Sequence, residues 1–225
     1  MRLRWLILPF VILLLAGCGS SSSSSSSSAG SATSASASPS TSASSSAANA
    51  TQLGFEGVAI EPGSDLASPG TTSDRTVDRI PCGPIEQLAY HIHAHLSVFV
   101  GGQPHALPGG IGIPSSQVVQ SAQGPVATGG ECIYWLHTHA PDGVIHVESP
   151  SQRIYTLGNF FDIWHQALGP DQIAGAHGKV TAIVNGKAWN KDPRSIPLTP
   201  HAVIQLSIGS PAPPYRAIDW SQTQL

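Results

Sequence analysis

Apolar residues alternate with polar ones along two stretches of the chain, and this period of two predicts β-strands. The first stretch runs from Tyr90 to Val100, with apolar residues at every second position from Ile92 onward. The second runs from Cys132 to Glu148 and contains Asp142-Gly143, a dipeptide that favours a two-residue hairpin turn because both positions tolerate positive φ. The pattern therefore predicts one long strand and one hairpin.

Closing the hairpin on that turn places three histidines and a glutamate on one face of the sheet. His139 would lie opposite His146, and His137 opposite Glu148, and residues directly opposite each other have Cβ atoms about 5 Å apart. The grouping depends on register, since a four-residue turn preserves it and a three-residue turn breaks it. The predicted core side of the hairpin is apolar and consists of Tyr134, Leu136, Ile145 and Val147.

The rest of the pattern predicts an α+β fold, mainly an antiparallel β-sheet built from hairpins with one packed α-helix. Residues 155–168 have helical periodicity, with Thr156 as the N-cap. The stretch from Lys179 to Trp189 predicts a second hairpin around an Asn-Gly turn, and residues 200–208 predict a last strand. Residues 115–130 are rich in glycine, serine and glutamine and predict a loop.

Six of the ten histidines lie on the two alternating stretches, all at like-facing positions. Imidazole is the commonest metal ligand in proteins, and a carboxylate beside it suits Zn²⁺, Cu²⁺, Fe²⁺, Mn²⁺ or Ni²⁺. The only methionine is Met1, which excludes a thioether-rich Cu(I) site. Zn²⁺ or Cu²⁺ is the expected ion, with Fe²⁺, Mn²⁺ and Ni²⁺ as alternatives. The candidate ligands are His91, His93, His95, His137, His139, His146 and Glu148.

Seven candidates exceed the four ligands of a usual zinc site. Either two ions bind, or some of the seven orient the ligands of a single ion. Two other interpretations stay open, namely ordinary polar histidines on a strand and a histidine cluster that responds to protonation.

The N-terminus predicts export. Arg2 and Arg4 precede an apolar run, Leu6 to Ala16, that is too short to span a bilayer. The run ends in Leu15-Ala16-Gly17-Cys18, which resembles the lipobox of bacterial lipoprotein signal peptides. The resemblance implies that residues 1–17 are a signal peptide and that Cys18 carries lipid. The protein would then be anchored in the cell membrane on its extracytoplasmic face.

Residues 18–76 have the composition of a spacer. They are rich in serine and alanine, and predict a flexible tether followed by a loosely ordered linker. The folded domain is then expected at residues 77–225, which is about the usual size of one domain. Without Arg2 and Arg4 the net charge is -5 and no basic cluster remains, so nucleic acid is not an expected partner.

Two cysteines remain once Cys18 carries lipid. An even number in an oxidising compartment favours a disulfide between Cys82 and Cys132. Each lies just upstream of a histidine-rich strand, so the bridge would hold the two strands close together. A metal-thiolate or a free-thiol role is the alternative.

The block H-I-H-A-H-L from His91, the block C-x-x-W-L-H-T-H-x-x-x-G-V-I-H-V-E-S-P from Cys132 and Y-T-L-G-N-F-F-D-I-W from Tyr155 resemble an uncharacterised group of secreted prokaryotic proteins. The resemblance extends over about residues 90–208. It implies that the three blocks belong to one domain, and it implies no particular activity.

Three functions fit these features. The first is a lipoprotein that binds a divalent transition metal through the two histidine-rich segments. The second is a metal-dependent enzyme of the hydrolase or oxygenase type, with Glu148 as general base instead of ligand. The third is an interaction module that needs no metal.

Overall fold

The computed structural model describes residues 52–70 and 76–225. The predicted signal peptide, Cys18 and residues 19–51 of the tether lie outside the described residues. Within the described part the α-helix is α1 (Leu157–Trp164), and 3-10 helices span Pro193–Ser195 and Trp220–Gln222. The strands are β1 (Thr76–Val77), β2 (Ile80–Gly83), β3 (Tyr90–Val100), β4 (Gln103–His105), β5 (Val118–Ser121), β6 (Gly124–Ala127), β7 (Ile133–Tyr134), β8 (Leu136–His137), β9 (Val144–Ser149), β10 (Tyr155–Thr156), β11 (Leu168–Gly169), β12 (Gln172–Ile173), β13 (Ala176–His177), β14 (Val180–Val184), β15 (Lys187–Ala188), β16 (Pro197–Leu198) and β17 (Ala202–Ile208).

The main sheet has seven strands in the order β15-β14-β17-β3-β9-β8, with β4 also paired to β3. One edge of β3 holds β9 along its first half and β4 along its second half. Its other edge pairs in parallel with β17, and the remaining strand pairs of this sheet are antiparallel. The predicted α+β fold with a mainly antiparallel sheet is therefore confirmed, with one parallel pair inside it.

β3 is the central strand, and both of its faces are covered. Ala94, Leu96 and Val98 point into the apolar core, as their alternation predicts. On the opposite face Ser97 donates a hydrogen bond to Glu61 Oε1 at 2.8 Å, and the Arg216 guanidinium lies over the Phe99 ring. The polar face of β3 is thus buried by residues from both ends of the described chain.

The predicted register of the histidine hairpin is wrong by two residues. β8 pairs with β9 so that His137 lies opposite His146 instead of Glu148. The connection between β8 and β9 is longer than a two-residue turn, and polar groups within it form hydrogen bonds with other parts of the chain. The Thr138 hydroxyl donates to Pro108 O at 2.8 Å, and Leu96 N donates to Gly143 O at 2.9 Å. A slip of two preserves the alternation, so the histidines and Glu148 still share one face.

The helix is shorter than predicted at its C-terminal end. Thr156 is the N-cap as expected, and it forms a capping box with Asn159. The helix ends at Trp164 because His165 adopts a left-handed conformation. Leu168, the last residue of the predicted helix, lies in β11 instead. The buried face of α1, with Phe160, Phe161 and Trp164, packs in the core.

The prediction of a loop over residues 115–130 is also wrong, because β5 and β6 form a hairpin there. Its turn is held by the Ser121 hydroxyl, which donates to Gly124 O at 2.8 Å. Ala127, the last residue of β6, donates its N–H to His139 O at 2.7 Å. This hairpin therefore lies against the end of β8.

Residues 52–70 pack against the domain. Val58 is buried, Leu66 N donates to Ala106 O at 2.9 Å, and Trp164 Nε1 donates to Ser68 O at 2.6 Å. Cys82 and Cys132 form the predicted disulfide, with Cα atoms 5.4 Å apart. No helix in the described part of the chain has the length and apolarity that crossing a membrane requires.

Candidate metal centre

The candidate centre lies on one face of the main sheet, at the strands β3, β9 and β8. Cross-strand pairing places His91 opposite Glu148 and His93 opposite His146, and His146 is also paired with His137. His139 follows the end of β8. Within the described residues, His137, His139, His146 and Glu148 form one group that can hold a metal ion, and His91, His93 and His146 form a second.

His137 and His139 are held in one tautomer by backbone carbonyl groups. His137 Nδ1 lies 2.9 Å from Tyr134 O, and His139 Nδ1 lies 2.7 Å from Ala127 O. A carbonyl oxygen only accepts hydrogen bonds, so both Nδ1 atoms carry the proton. In the neutral rings both Nε2 atoms are therefore left with a free lone pair.

These two lone-pair atoms face each other. His137 Nε2 and His139 Nε2 are 3.2 Å apart, and His137 is completely buried. Two acceptors at that distance repel each other unless a cation lies between them. Zinc–nitrogen bonds of about 2.0–2.1 Å at a tetrahedral angle place ligand nitrogens about 3.3 Å apart. The observed spacing therefore suits two ligands of one ion.

Glu148 provides a carboxylate at the centre of the histidine face. Its Oε1 atom lies 3.1 Å from His91 Nε2, 3.2 Å from His146 Nδ1 and 3.9 Å from His137 Nε2. Its Oε2 atom is buried and has no hydrogen-bond partner among the described residues. A buried carboxylate oxygen without a donor is costly unless a cation compensates it.

His146 lies between two carboxylates. Its Nδ1 atom faces Glu148, and its Nε2 atom is 2.5 Å from Glu56 Oε1. Burial lowers the pKa of His146, but hydrogen bonds to Glu148 and Glu56 and the charges of both raise it to about 9. Without a metal, His146 is therefore the positively charged member of the cluster at neutral pH.

The other buried imidazoles of the site stay neutral. Burial and the positive charge of His146 lower the pKa of His137 well below its usual value. The same two causes, with His91, lower the pKa of His93 to about 3, and His93 Nε2 is buried with no hydrogen-bond partner in the described part. His91 lies at the solvent-exposed side of the histidine face, and its side chain is 37% exposed. Neutral rings are the form that binds metal.

His95 shares the face but not the cluster. It lies opposite Val144 at the far end of the β3–β9 pair, and its Nε2 atom donates to Asp142 O at 2.9 Å. Burial lowers its pKa to about 4. Gly143 stands against this ring with φ of 79°, where an added Cβ would be 2.9 Å from His95 Nε2. His95 thus packs against the loop between β8 and β9 and is in neither metal-capable group.

Two carboxylates near the imidazoles were not among the predicted site residues. Glu56 reaches His146 from the segment expected to be a linker, and Glu86 Oε1 lies 3.6 Å from His139 Nε2. Neither belongs to a periodic pattern, so the sequence offers no signal for them. Glu86 is 37% exposed and approaches the site from the solvent side.

A cavity of about 280 Å³ adjoins His139. Its lining is mostly apolar and includes Pro69, Pro108, Pro125 and Pro141. His139 therefore connects the buried cluster to an accessible space.

Comparisons of the chain with protein-family models, with curated proteins and with solved structures found no match.

Proposed function

We propose that this protein is a membrane-anchored, extracytoplasmic lipoprotein that binds a divalent transition metal ion, Zn²⁺ or Cu²⁺, through its two histidine-rich β segments. The ligands would be His137, His139, His146 and Glu148. Fe²⁺, Mn²⁺ and Ni²⁺ are weaker matches for the same donors. Lipid on Cys18 would provide the membrane anchor, as the resemblance of Leu15 to Cys18 to a lipobox implies.

The observation that supports metal binding best is the pair of Nε2 atoms on His137 and His139. Both Nδ1 atoms are committed to carbonyl oxygens, and the two Nε2 atoms are 3.2 Å apart. A metal ion or a shared proton removes the repulsion between these lone pairs. The nearby carboxylate of Glu148 and the other imidazoles favour the metal, because they add further donors.

Metal analysis of the full-length protein tests this proposal. We expect the wild type to contain or take up Zn²⁺ or Cu²⁺, and the double variant His137→Ala, His139→Ala to lose that binding. His177→Ala is the matched control, because His177 is an exposed histidine of β13 outside both groups. A wild type that holds no metal and takes up neither ion on titration would rule the proposal out.

Lipid attachment needs a separate test. Mass spectrometry of the protein extracted from membranes should show an N-terminus at Cys18 with added acyl chains. Cys18→Ser should release the protein from the membrane fraction and leave its metal binding unchanged. A wild type that fractionates without the membrane would contradict the anchor alone.

A second candidate function is a metal-dependent enzyme of the hydrolase or oxygenase type. The cavity beside His139 favours it, because a substrate held there would lie next to an ion bound by this residue. Its apolar lining suits the apolar part of a small molecule. Val118→Trp, a change in the lining, should abolish turnover of a substrate bound there and leave metal content unchanged. Equal turnover in both proteins would exclude the cavity as the substrate site.

A further inference from the structure

We infer that Glu56 is a positioning residue of the metal centre, which accepts the Nε2–H of His146 and so presents the Nδ1 atom of this ring to the ion. The inference rests on the proposed metal-binding function and makes it more specific. It assigns the coordinating nitrogen of His146, and it makes the segment that follows the tether part of the site.

A tight turn places Glu56 over the sheet. Gly54 N donates to Val58 O at 2.6 Å, and Gly57 N donates to Gly54 O at 3.0 Å. Gly57 has φ of 80°, a backbone conformation that a side chain disfavours. The turn aims the Glu56 side chain inward, and this side chain is only 4% exposed.

The C-terminal tail secures this turn from outside. Gln224 N donates to Glu56 O at 3.1 Å, and Thr223 Cα would be 3.3 Å from a Cβ at Gly57. The backbone of Glu56 is therefore fixed from a part of the chain that lies far from it in sequence. A residue held from two sides is suited to orienting another side chain.

The contacts of His146 define which of its nitrogens can bind an ion. The Nε2 atom is 2.5 Å from Glu56 Oε1, on the side away from Glu148. The Nδ1 atom is 3.2 Å from Glu148 Oε1, which is itself a candidate ligand atom and lies 3.9 Å from His137 Nε2. A carboxylate that accepts the second N–H of a ligand histidine fixes its tautomer and increases its basicity. Glu56 and His146 have this relation.

The experiment uses the full-length protein and the variant Glu56→Gln. An amide still accepts the Nε2–H through its oxygen but lacks the charge, so the variant isolates the electrostatic part of the contact. We expect Zn²⁺ affinity to fall by about 10–100-fold, the usual effect of losing such a partner. Glu61→Gln is the matched control, because Glu61 is a buried carboxylate of the same segment that contacts Ser97 and Arg216 instead of a histidine. Its Zn²⁺ affinity should equal that of the wild type.

Nitrogen NMR of the Zn²⁺-loaded wild type gives a second result that does not depend on a variant folding. His146 should show a protonated Nε2 and a metal-bound Nδ1. A metal-bound Nε2, or unchanged affinity in Glu56→Gln, would overturn the inference. A wild type that binds no Zn²⁺ would instead overturn the proposed function, so the two failures are distinguishable.

Discussion

The structure fixes imidazoles in two different ways on the two strands of one hairpin. At the end of β8, His137 and His139 donate to backbone carbonyls and present lone pairs. In the middle of β9, His146 lies between two carboxylates, and its ring is protonated on both nitrogens and positively charged at neutral pH. Neutral acceptors produce a ligand that is ready for a metal, whereas charged acceptors produce a cation. His146 thus supplies in the metal-free protein part of the positive charge that an ion would supply in the loaded protein.

Of the changes considered, removing the disulfide should lower stability the most. It should disturb the histidines of β8 more than His146 of β9. Cys132 lies two residues before Tyr134, whose carbonyl fixes His137. The bridge closes a sequence separation of 50 residues, so Cys82→Ala, Cys132→Ala should lower the free energy of unfolding by about 4 kcal/mol in the chain-entropy model. Urea denaturation measures this change. A loss well below that value would show that the bridge strains the folded protein, or that the unfolded chain keeps structure without it.

The pH dependence of the metal-free protein should separate the two kinds of histidine. Below pH 6.5 the unfolded chain binds protons that the buried His93, His95 and His137 do not. Each of the three therefore lowers the stability of the fold by about 1.4 kcal/mol for each unit that the pH falls. Asp142 opposes one of these contributions, because burial raises its pKa to about 7 and the folded form binds its proton first. His146 contributes stability that is complete below pH 6.5 and is lost as the pH rises through about 9.

Stability should therefore be greatest near the usual histidine pKa of about 6.5 and should fall on both sides. Urea denaturation of metal-free protein at several pH values from acid to mildly alkaline measures it. Between about pH 6.5 and 4, the three histidines less the opposing Asp142 should give a loss of about 2.8 kcal/mol per pH unit. Stability that rises steadily up to pH 9 would contradict the assignment of a protonated His146.

The histidine face shows how far a sequence of this kind predicts a site. Alternation along β3 and along the hairpin was enough to bring His137, His146 and Glu148 to one face, because an error of two residues in register does not change the face. The same alternation placed His95 with them, although the loop after His139 binds this ring separately. The sequence did not predict that Glu56 lies at the site, because its position depends on a turn and on contacts with the C-terminal tail.

The elements that were predicted best have local signals. Thr156 caps the helix, and the Asn185-Gly186 turn joins β14 to β15, as expected from the sequence. The hairpin of β5 and β6 was missed because its glycine-rich composition resembles that of a loop. Its contact with His139 comes from tertiary packing, for which the composition holds no information.

Thr138→Val should have a moderate effect on the carbonyl-bound pair. The Thr138 hydroxyl donates to Pro108 O at 2.8 Å and accepts from Ile111 N at 3.1 Å. Valine has a similar shape but leaves both groups unsatisfied, at a cost of about 2 kcal/mol. Zn²⁺ affinity should also fall, because Thr138 fixes the backbone between the two proposed ligands.

Thr181→Val is the control for this variant, because Thr181 lies in β14, away from the candidate centre, and its hydroxyl donates to the carbonyl of Ser207 at 3.4 Å. Calorimetry of both variants with and without Zn²⁺ makes the comparison. Equal losses of affinity in the two variants would show that the connection after β8 does not position the pair.

The smallest expected change concerns His146 alone. Glu148→Gln removes one of its two charged partners, so the pKa of His146 should fall from about 9 toward its ordinary value. An NMR titration of the metal-free protein follows the ring, with Glu61→Gln as the control that leaves it unchanged. A pKa of His146 that stays near 9 would show that Glu56 alone stabilises the protonated ring.

The central position of β3 has a consequence for the order of folding. β9 joins β3 from the same half of the domain, whereas its parallel partner β17 is the last strand of the sheet. Contacts between distant parts of a chain form slowly, because a long loop must close before they contribute. We therefore expect the imidazoles to meet before β17 docks, and Glu56 to be secured only when Gln224 arrives. An ion present during folding would thus encounter a partly assembled and more open site than the one in the finished protein.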